Sequence, residues 1–126
     1  NAKAIVEKIE LNNNLKETGI IYKNYKWIFP FSSSESIQVN SFLEQLKEIL
    51  NTSKRRWTVS LDPFDEEHIF IVVHGIRDLK EIKRIENNSV MSKLIKQNSK
   101  NFVALSSQYR TIMKNKNWKI FQNERN

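Results

Sequence analysis

The stretch HIFIVVHGI at residues 68–76 decides the fold, because five apolar residues stand between its two histidines. An uninterrupted β-branched and aromatic run of this length is typical of a strand buried on both faces. Residues an even number apart on a strand share one face, so His68 and His74 are expected on the same side. At roughly 3.3 Å per residue they lie about 20 Å apart, too far to bind one metal ion. The stretch therefore predicts a central strand, with His74 as a structural histidine.

The chain before this stretch predicts a strand, a helix and a second strand. Residues 20–31 are β-branched and aromatic, and their strand should end or bulge at Pro30, since proline donates no ladder hydrogen bond. Ser32 and Glu35 match a capping box at the start of the helix. Residues 56–61 alternate apolar and polar side chains, as in a strand near a sheet edge. The predicted helix carries one apolar stripe, formed by Val39, Phe42, Leu43, Leu46, Ile49 and Leu50.

The chain after the stretch predicts helices around one more strand. Asp78 is placed to cap a helix, and residues 86–89 separate this helix from a second helical piece. Residues 101–107 predict a last strand, which is followed by a broken C-terminal helix. This order predicts the α+β class, as a ferredoxin-like βαββαβ sandwich with an antiparallel sheet, helices on one face and a C-terminal helical tail. Residues 19–126 would form this domain, and residues 1–18 an N-terminal helix or the end of a preceding one.

The residue types that most enzymes and metal sites need are scarce. Without cysteine the chain has no thiolate metal ligand, no disulfide and no cysteine nucleophile. Its two glycines, Gly19 and Gly75, cannot form a phosphate-binding loop. Three consecutive acids at 65–67 precede His68, but beside Pro63 they are more typical of a solvated turn than of a metal site. The sequence predicts a non-enzymatic protein with no cofactor and no metal, and no apolar run reaches the ~20 residues of a membrane span.

Positive charge is concentrated in the C-terminal third of the chain. The net charge is +7 at pH 7, and residues 87–126 hold eight Lys or Arg against one acid, Glu124. Such a balance suits nucleic acid, an anionic membrane surface or an acidic protein partner, although lysine-rich codon usage would produce it without any ligand. The stretches SKRRW at 53–57 and YRTIMKNKNWK at 109–119 place basic beside aromatic residues. The candidate partner-binding residues are Lys54, Arg55, Arg56, Arg110, Lys114, Lys116, Trp118 and Lys119.

Three blocks of the sequence resemble, in order, a known envelope domain. They are YKWIFPF at 25–31, HIFIVVHGIRDLKEIKRI at 68–85 and NFVALSSQYRTIMKNKNWKIFQNERN at 101–126. Together they are similar to the C-terminal domain of Bacteroidetes tetratricopeptide lipoproteins of the PorW/SprE type, which belong to type IX secretion and gliding motility. The resemblance implies a non-enzymatic module of the periplasm, or of the periplasmic face of the outer membrane, that docks on protein partners in a membrane-associated complex.

Two other functions remain as alternatives. A small peptidoglycan-binding module of SPOR type would share the βαββαβ order, although the chain lacks the glycine-rich turn expected there. An RNA-binding or ribosome-associated protein would use the two basic stretches, since basic and aromatic residues together form single-stranded nucleic-acid platforms. A cytoplasmic location therefore stays open beside the periplasmic one.

Overall fold

A computed structural model describes residues 24–53 and 55–118. The whole of the predicted helical segment at 1–18 lies outside the described residues, as do Lys54 and Lys119. The described part contains four strands and four helices. In chain order they are β1 (Tyr25–Ser32), α1 (Ser36–Thr52), β2 (Thr58–Pro63), β3 (His68–Ile76), α2 (Leu79–Glu86), α3 (Ser89–Gln97), β4 (Phe102–Leu105) and α4 (Ser106–Asn115).

The four strands form one antiparallel sheet with the order β2-β3-β1-β4. The prediction of an α+β chain with an antiparallel sheet is confirmed. The predicted central strand at 68–76 is β3, which pairs with β1 on one side and β2 on the other. Its four residues Phe70, Ile71, Val72 and Val73 are fully buried, because helices cover the sheet on both faces.

Helices α1, α2 and α3 cover one face of the sheet. Side chains of β1 at odd positions and of α1 make up half of the buried residues of this first core, whose members include Trp27, Phe29, Phe31, Val39, Phe42, Leu46, Ile82, Ile85, Met91 and Leu94. The sequence predicted helices on one face of the sheet, and it did not predict where the C-terminal helix packs. In the structure α4 covers the opposite face, where the second core consists of Ile28, Phe64, Phe70, Val72, Phe102, Ala104, Tyr109, Ile112 and Trp118.

Pro30 does not end the first strand, contrary to the prediction from sequence. Strand β1 continues to Ser32, and Pro30 lies opposite Phe70 of β3. The carbonyl of Pro30 accepts a hydrogen bond from Asn98 Nδ2 at 2.7 Å, on the side away from β3. The nitrogen and the carbonyl of one strand residue point to the same side, and β4 extends only as far as Ile28 on that side. The missing N–H of Pro30 therefore costs no ladder hydrogen bond.

Gly75 forms a bulge near the end of β3. The register shifts between the pairs Tyr25–Ile76 and Trp27–Val73, so two residues of β3 lie opposite one of β1. Gly75 has a φ of +90°, which a residue with a side chain rarely adopts. The strand runs on to Ile76. A bulge at this point turns the residues of the strand end away from the regular ladder.

Asparagine and aspartate side chains define the two short helices α2 and α3. Asp78 accepts a hydrogen bond from the Lys80 N–H at 2.9 Å, which confirms the predicted cap. Asn88 accepts from the N–H groups of Val90 and Met91 and begins α3 after the predicted interruption. Within the described residues, no helix has both the length and the apolar character needed to cross a membrane.

Candidate functional site

Five basic side chains lie at one end of the sheet, which we name the basic end. Strand β1 begins here, paired with the last residues of β3 and β4, and β2 begins beside His74. Burial lowers the pKa of the Lys26 ammonium group against an opposing effect of Asp62, and Arg110 on α4 is close enough to lower it further. The acids near this end include Asp62 and also Asp78, which caps α2. The residues of the basic end are Lys26, Arg55, Arg56, Arg77 and Arg110.

The opposite end of the sheet carries acids, and we name it the acidic end. The turn between β2 and β3 holds the three acids at 65–67, and the Ser33 N–H after β1 donates to the Glu67 carbonyl at 2.8 Å. Although desolvation acts to raise it, hydrogen bonds from the backbones of Glu67 and His68 and from the His68 ring hold the pKa of Asp65 below its ordinary value. These contacts stay within the turn, and the described residues contain no cluster of three or more potential metal ligands.

A groove between α1 and β2 adjoins the basic end. It has a volume of about 180 Å³, and its lining residues are Lys47, Leu50, Asn51, Arg55, Trp57 and Val59. The guanidinium of Arg55 lies 5.3 Å from the centre of the Trp57 ring, which is 8% exposed. This cation–π contact holds one positive charge beside the apolar floor of the groove. The groove therefore combines apolar surface with the charges of Lys47 and Arg55.

Strand β2 forms one edge of the sheet, and within the described ranges it pairs only with β3. The Phe64 N–H donates to the His68 carbonyl at 3.1 Å. Since backbone groups of successive strand residues alternate between the two sides, Ser60 and Asp62 also direct theirs to β3. Val59 and Leu61 direct their N–H and C=O groups outward. Leu61 is also 40% exposed, so this edge offers both backbone hydrogen bonds and apolar surface.

A polar cluster lies under α4 at the same end of the sheet. Lys26 Nζ is 2.8 Å from His74 Nδ1, and His74 Nε2 is 2.5 Å from Ser60 Oγ. Burial and the positive charge of Lys26 lower the pKa of His74, against an opposing effect of Asp62. Tyr109 donates its hydroxyl proton to Asp62 Oδ2 at 2.6 Å. Burial and the hydrogen bond to Asp62 raise the pKa of Tyr109 above its ordinary value.

The direction of the hydrogen bonds in this cluster is unsuited to nucleophilic catalysis by Ser60. An ammonium group can only donate hydrogen bonds, so His74 Nδ1 accepts from Lys26 and Nε2 carries the ring proton, which is donated to Ser60. A general base would have to accept the Ser60 proton at that same nitrogen. His74 therefore acts as a structural link between β1 and β2, in agreement with the interpretation of its sequence.

The candidate residues of the C-terminal stretch separate in the structure. Arg110 and Lys114 are exposed one turn apart on α4. Lys116 has a left-handed backbone and donates its Nζ proton to the Phe64 carbonyl at 2.5 Å, toward the acidic end. Trp118 is only 3% exposed and stacks on Phe102, with ring centres 6.0 Å apart. Its place in the second core removes the basis for its predicted contact with a partner.

Several residues of the site were missed by the sequence reasoning, namely Lys26, Lys47, Val59, Leu61 and Arg77. The positions of Lys26 and Arg77 at this end of the sheet could have been predicted from the sequence. Antiparallel strands bring the start of β1 and the end of β3 to one end of the sheet, and each of these basic residues lies next to such a strand end. The groove could not be found in the same way, because it depends on how α1 packs beside β2.

A second cavity, of about 240 Å³, lies beyond the acidic end, between β1, the end of α3 and Trp118. Asn98, which is buried, contributes to its wall and donates to the Pro30 carbonyl, while its Oδ1 has no hydrogen-bond partner.

Comparisons of this chain with protein-family models, with curated proteins and with solved structures found no match. The geometry of the described residues is therefore the ground for any assignment of function.

Proposed function

We propose that the chain is a non-enzymatic interaction module that docks on protein partners through the basic end of its sheet. The observation that carries the proposal is the grouping of five cationic side chains beside a strand edge that has no partner strand among the described residues. Three of them, Arg56, Arg77 and Arg110, are exposed. A concentrated charge of one sign steers an oppositely charged partner to the surface and fixes its orientation.

The environment of the aromatic residues favours a protein over a nucleic acid as the partner. Stacking with bases requires an exposed ring face. Trp118 and Tyr109 are in the second core, and Trp57 is covered by Arg55. The described aromatic rings of the two basic and aromatic stretches are therefore occupied within the protein, and this favours recognition by charge over base stacking at the basic end.

The fold and cellular place that we propose follow from the strand order and the sequence blocks. We take the antiparallel order β2-β3-β1-β4, with α1 and the α2–α3 pair as crossovers, as a ferredoxin-like arrangement to which α4 is added. The three blocks at 25–31, 68–85 and 101–126 support a relation to the envelope modules of type IX secretion and gliding. On that ground the proposed location is the periplasm, and the proposed partner is a component of a membrane-associated complex.

Charge reversal at the basic end tests this proposal. The variant Arg56→Glu/Arg77→Glu/Arg110→Glu changes three exposed side chains. Its control, Lys83→Glu/Lys93→Glu/Lys96→Glu, makes the same change in net charge at exposed positions on α2 and α3. Purified protein is immobilised and exposed to envelope extract with and without nuclease treatment, and retained proteins are quantified.

We expect proteins that the wild type and the control retain equally to be lost from the basic-end variant. Equal retention by all three would contradict the proposal. If the wild type retains proteins from untreated extract but not from nuclease-treated extract, the result would also contradict the proposal and would favour the RNA-binding alternative. Circular dichroism of each variant verifies that the chain is folded.

A further inference from the structure

We propose that the outer edge of β2 binds an extended, acidic segment of a partner protein, which adds a fifth strand to the sheet and lies along the groove between β2 and α1. This inference rests on the proposed docking function and names the chemistry of its partner. Addition of a strand to a sheet edge is a common mode of peptide recognition, in which backbone hydrogen bonds give affinity and side-chain pockets give specificity.

The backbone of β2 presents to such a strand a short row of outward-directed groups, which no other described strand pairs with. Val59 and Leu61 direct their N–H and C=O groups outward, as the Phe64–His68 hydrogen bond establishes. Pro63 is the next outward position and has no N–H to donate. The row available for pairing is thus limited to the first half of β2, next to the basic end. A proline at the end of an edge strand also prevents further pairing there.

The groove supplies the side-chain pocket on the α1 side of the added strand. Side chains at odd positions of β2 face α1, and Val59 and Trp57 line the groove together with Leu50. Leu61 continues this apolar surface along the strand and is 40% exposed. Since alternate residues of an added strand would face the groove, the segment should carry apolar residues at every second position.

Charge determines the rest of the chemistry of the segment. Lys47 and Arg55 line the groove at the start of β2, and Arg56 is exposed beside them. The turn at 65–67 places three acids beyond the other end of β2. A segment with acidic residues beside Lys47 and Arg55 gains attraction at its basic-side end, whereas a basic segment is repelled there. Since residues between the groove-facing ones point to the opposite face, the acids that meet Lys47 and Arg55 must take groove-facing positions themselves. The groove therefore fits a segment with apolar residues beside Val59 and Leu61 and an acid in the next groove-facing position.

The test uses as its probe a soluble peptide of alternating valine and aspartate with one further aspartate in a groove-facing position at each end, together with a matched peptide that has lysine in place of every aspartate. Binding to the full chain is followed by backbone amide NMR. We expect the aspartate peptide to shift the amides of Val59 and Leu61 most strongly and to slow their hydrogen exchange. The valine–lysine peptide should bind at least tenfold more weakly.

Substitution at the groove supplies the matched variants. Lys47→Glu/Arg55→Glu should weaken binding of the aspartate peptide roughly tenfold, as expected for two lost ion pairs replaced by repulsion. The control Lys83→Glu/Lys93→Glu has the same net charge at exposed positions on α2 and α3, and should bind as the wild type does. Amide spectra of both variants establish that the fold is retained.

Three results would overturn the inference. One is binding that leaves the exchange of Val59 and Leu61 unchanged. Another is slow exchange at these amides that increases with protein concentration in the absence of peptide, which would identify a second copy of this chain as the occupant. The third is equal binding of the two peptides. If the inference fails while the Arg56, Arg77 and Arg110 variant still loses its captured partner, docking through the basic end stands without strand addition.

Discussion

The neighbouring strands β3 and β2 have the same antiparallel geometry but opposite relations to solvent. Strand β3 has a strand on each side and helices on both faces, and its residues from Phe70 to Val73 are fully buried. Strand β2 has a strand on one side only among the described residues, and Leu61 is 40% exposed. The buried side chains of β3 contribute to stability, whereas the outer backbone of β2 is the surface at which we propose that a partner binds.

Loss of a ring from β3 should have the largest effect. Phe70 packs against Phe64, Phe102, Tyr109 and Trp118 in the second core. Phe70→Ala should lower the free energy of unfolding by about 3–5 kcal/mol, through lost transfer energy and a residual cavity. Urea denaturation measures this loss. A loss below 1 kcal/mol would mean that β3 is not the centre of the core.

Removal of the Tyr109 hydroxyl tests the link between α4 and β2. Tyr109→Phe keeps the ring in the core but leaves the Asp62 carboxylate without its donor. The free energy of unfolding should fall by about 1–2 kcal/mol, since a partly buried acceptor loses its partner. A double-mutant cycle with Asp62→Asn measures the pairwise energy, and independent effects of the two substitutions would argue against this contact.

The pH dependence of stability tests the surroundings of His74. Burial and Lys26 lower its pKa in the folded state, against Asp62, so the unfolded chain takes up the proton first as the pH falls. Stability should be complete above the unfolded pKa of about 6.5 and should decrease as the pH falls through the folded pKa. Urea midpoints between pH 5 and pH 8 record this decrease, which should be smaller in His74→Gln. If the urea midpoints of the wild type and of His74→Gln depend on pH in the same way, His74 does not have the lowered pKa that this cluster requires.

Truncation on the edge strand should have the smallest effect on stability. Leu61→Ala removes a partly exposed side chain from β2 and should change the free energy of unfolding by no more than about 0.5 kcal/mol. The same substitution should weaken binding of the valine–aspartate peptide, because Leu61 extends the apolar floor of the groove. A loss of stability as large as that of Phe70→Ala would remove the distinction between the two strands.

The central strand and the Asp78 cap could be predicted from sequence because each has a local cause. The capping box predicted at Ser32 and Glu35 forms only in part: Glu35 accepts a hydrogen bond from the Ser32 N–H, but α1 begins at Ser36 with Glu35 as its N-cap and no side-chain cap bond. A run of apolar residues identifies β3, and the side chains of Asp78 and Asn88 bond to amides two or three residues away. The polar cluster depends instead on register between strands, which brings Ser60 within hydrogen-bond distance of His74. The burial of Trp118 depends on the face that α4 covers. These long-range arrangements leave no local pattern in the chain.

Hydrogen exchange of the free protein distinguishes an open outer edge of β2 from a paired one. We expect slow exchange at the amides of Ser60 and Asp62, which point to β3, and fast exchange at those of Val59 and Leu61, which point outward. This alternation along one strand is the signature of an edge that is open for pairing. Slow exchange at all four amides would mean that the outer edge of β2 is already paired, and would rule out the addition of a partner strand there.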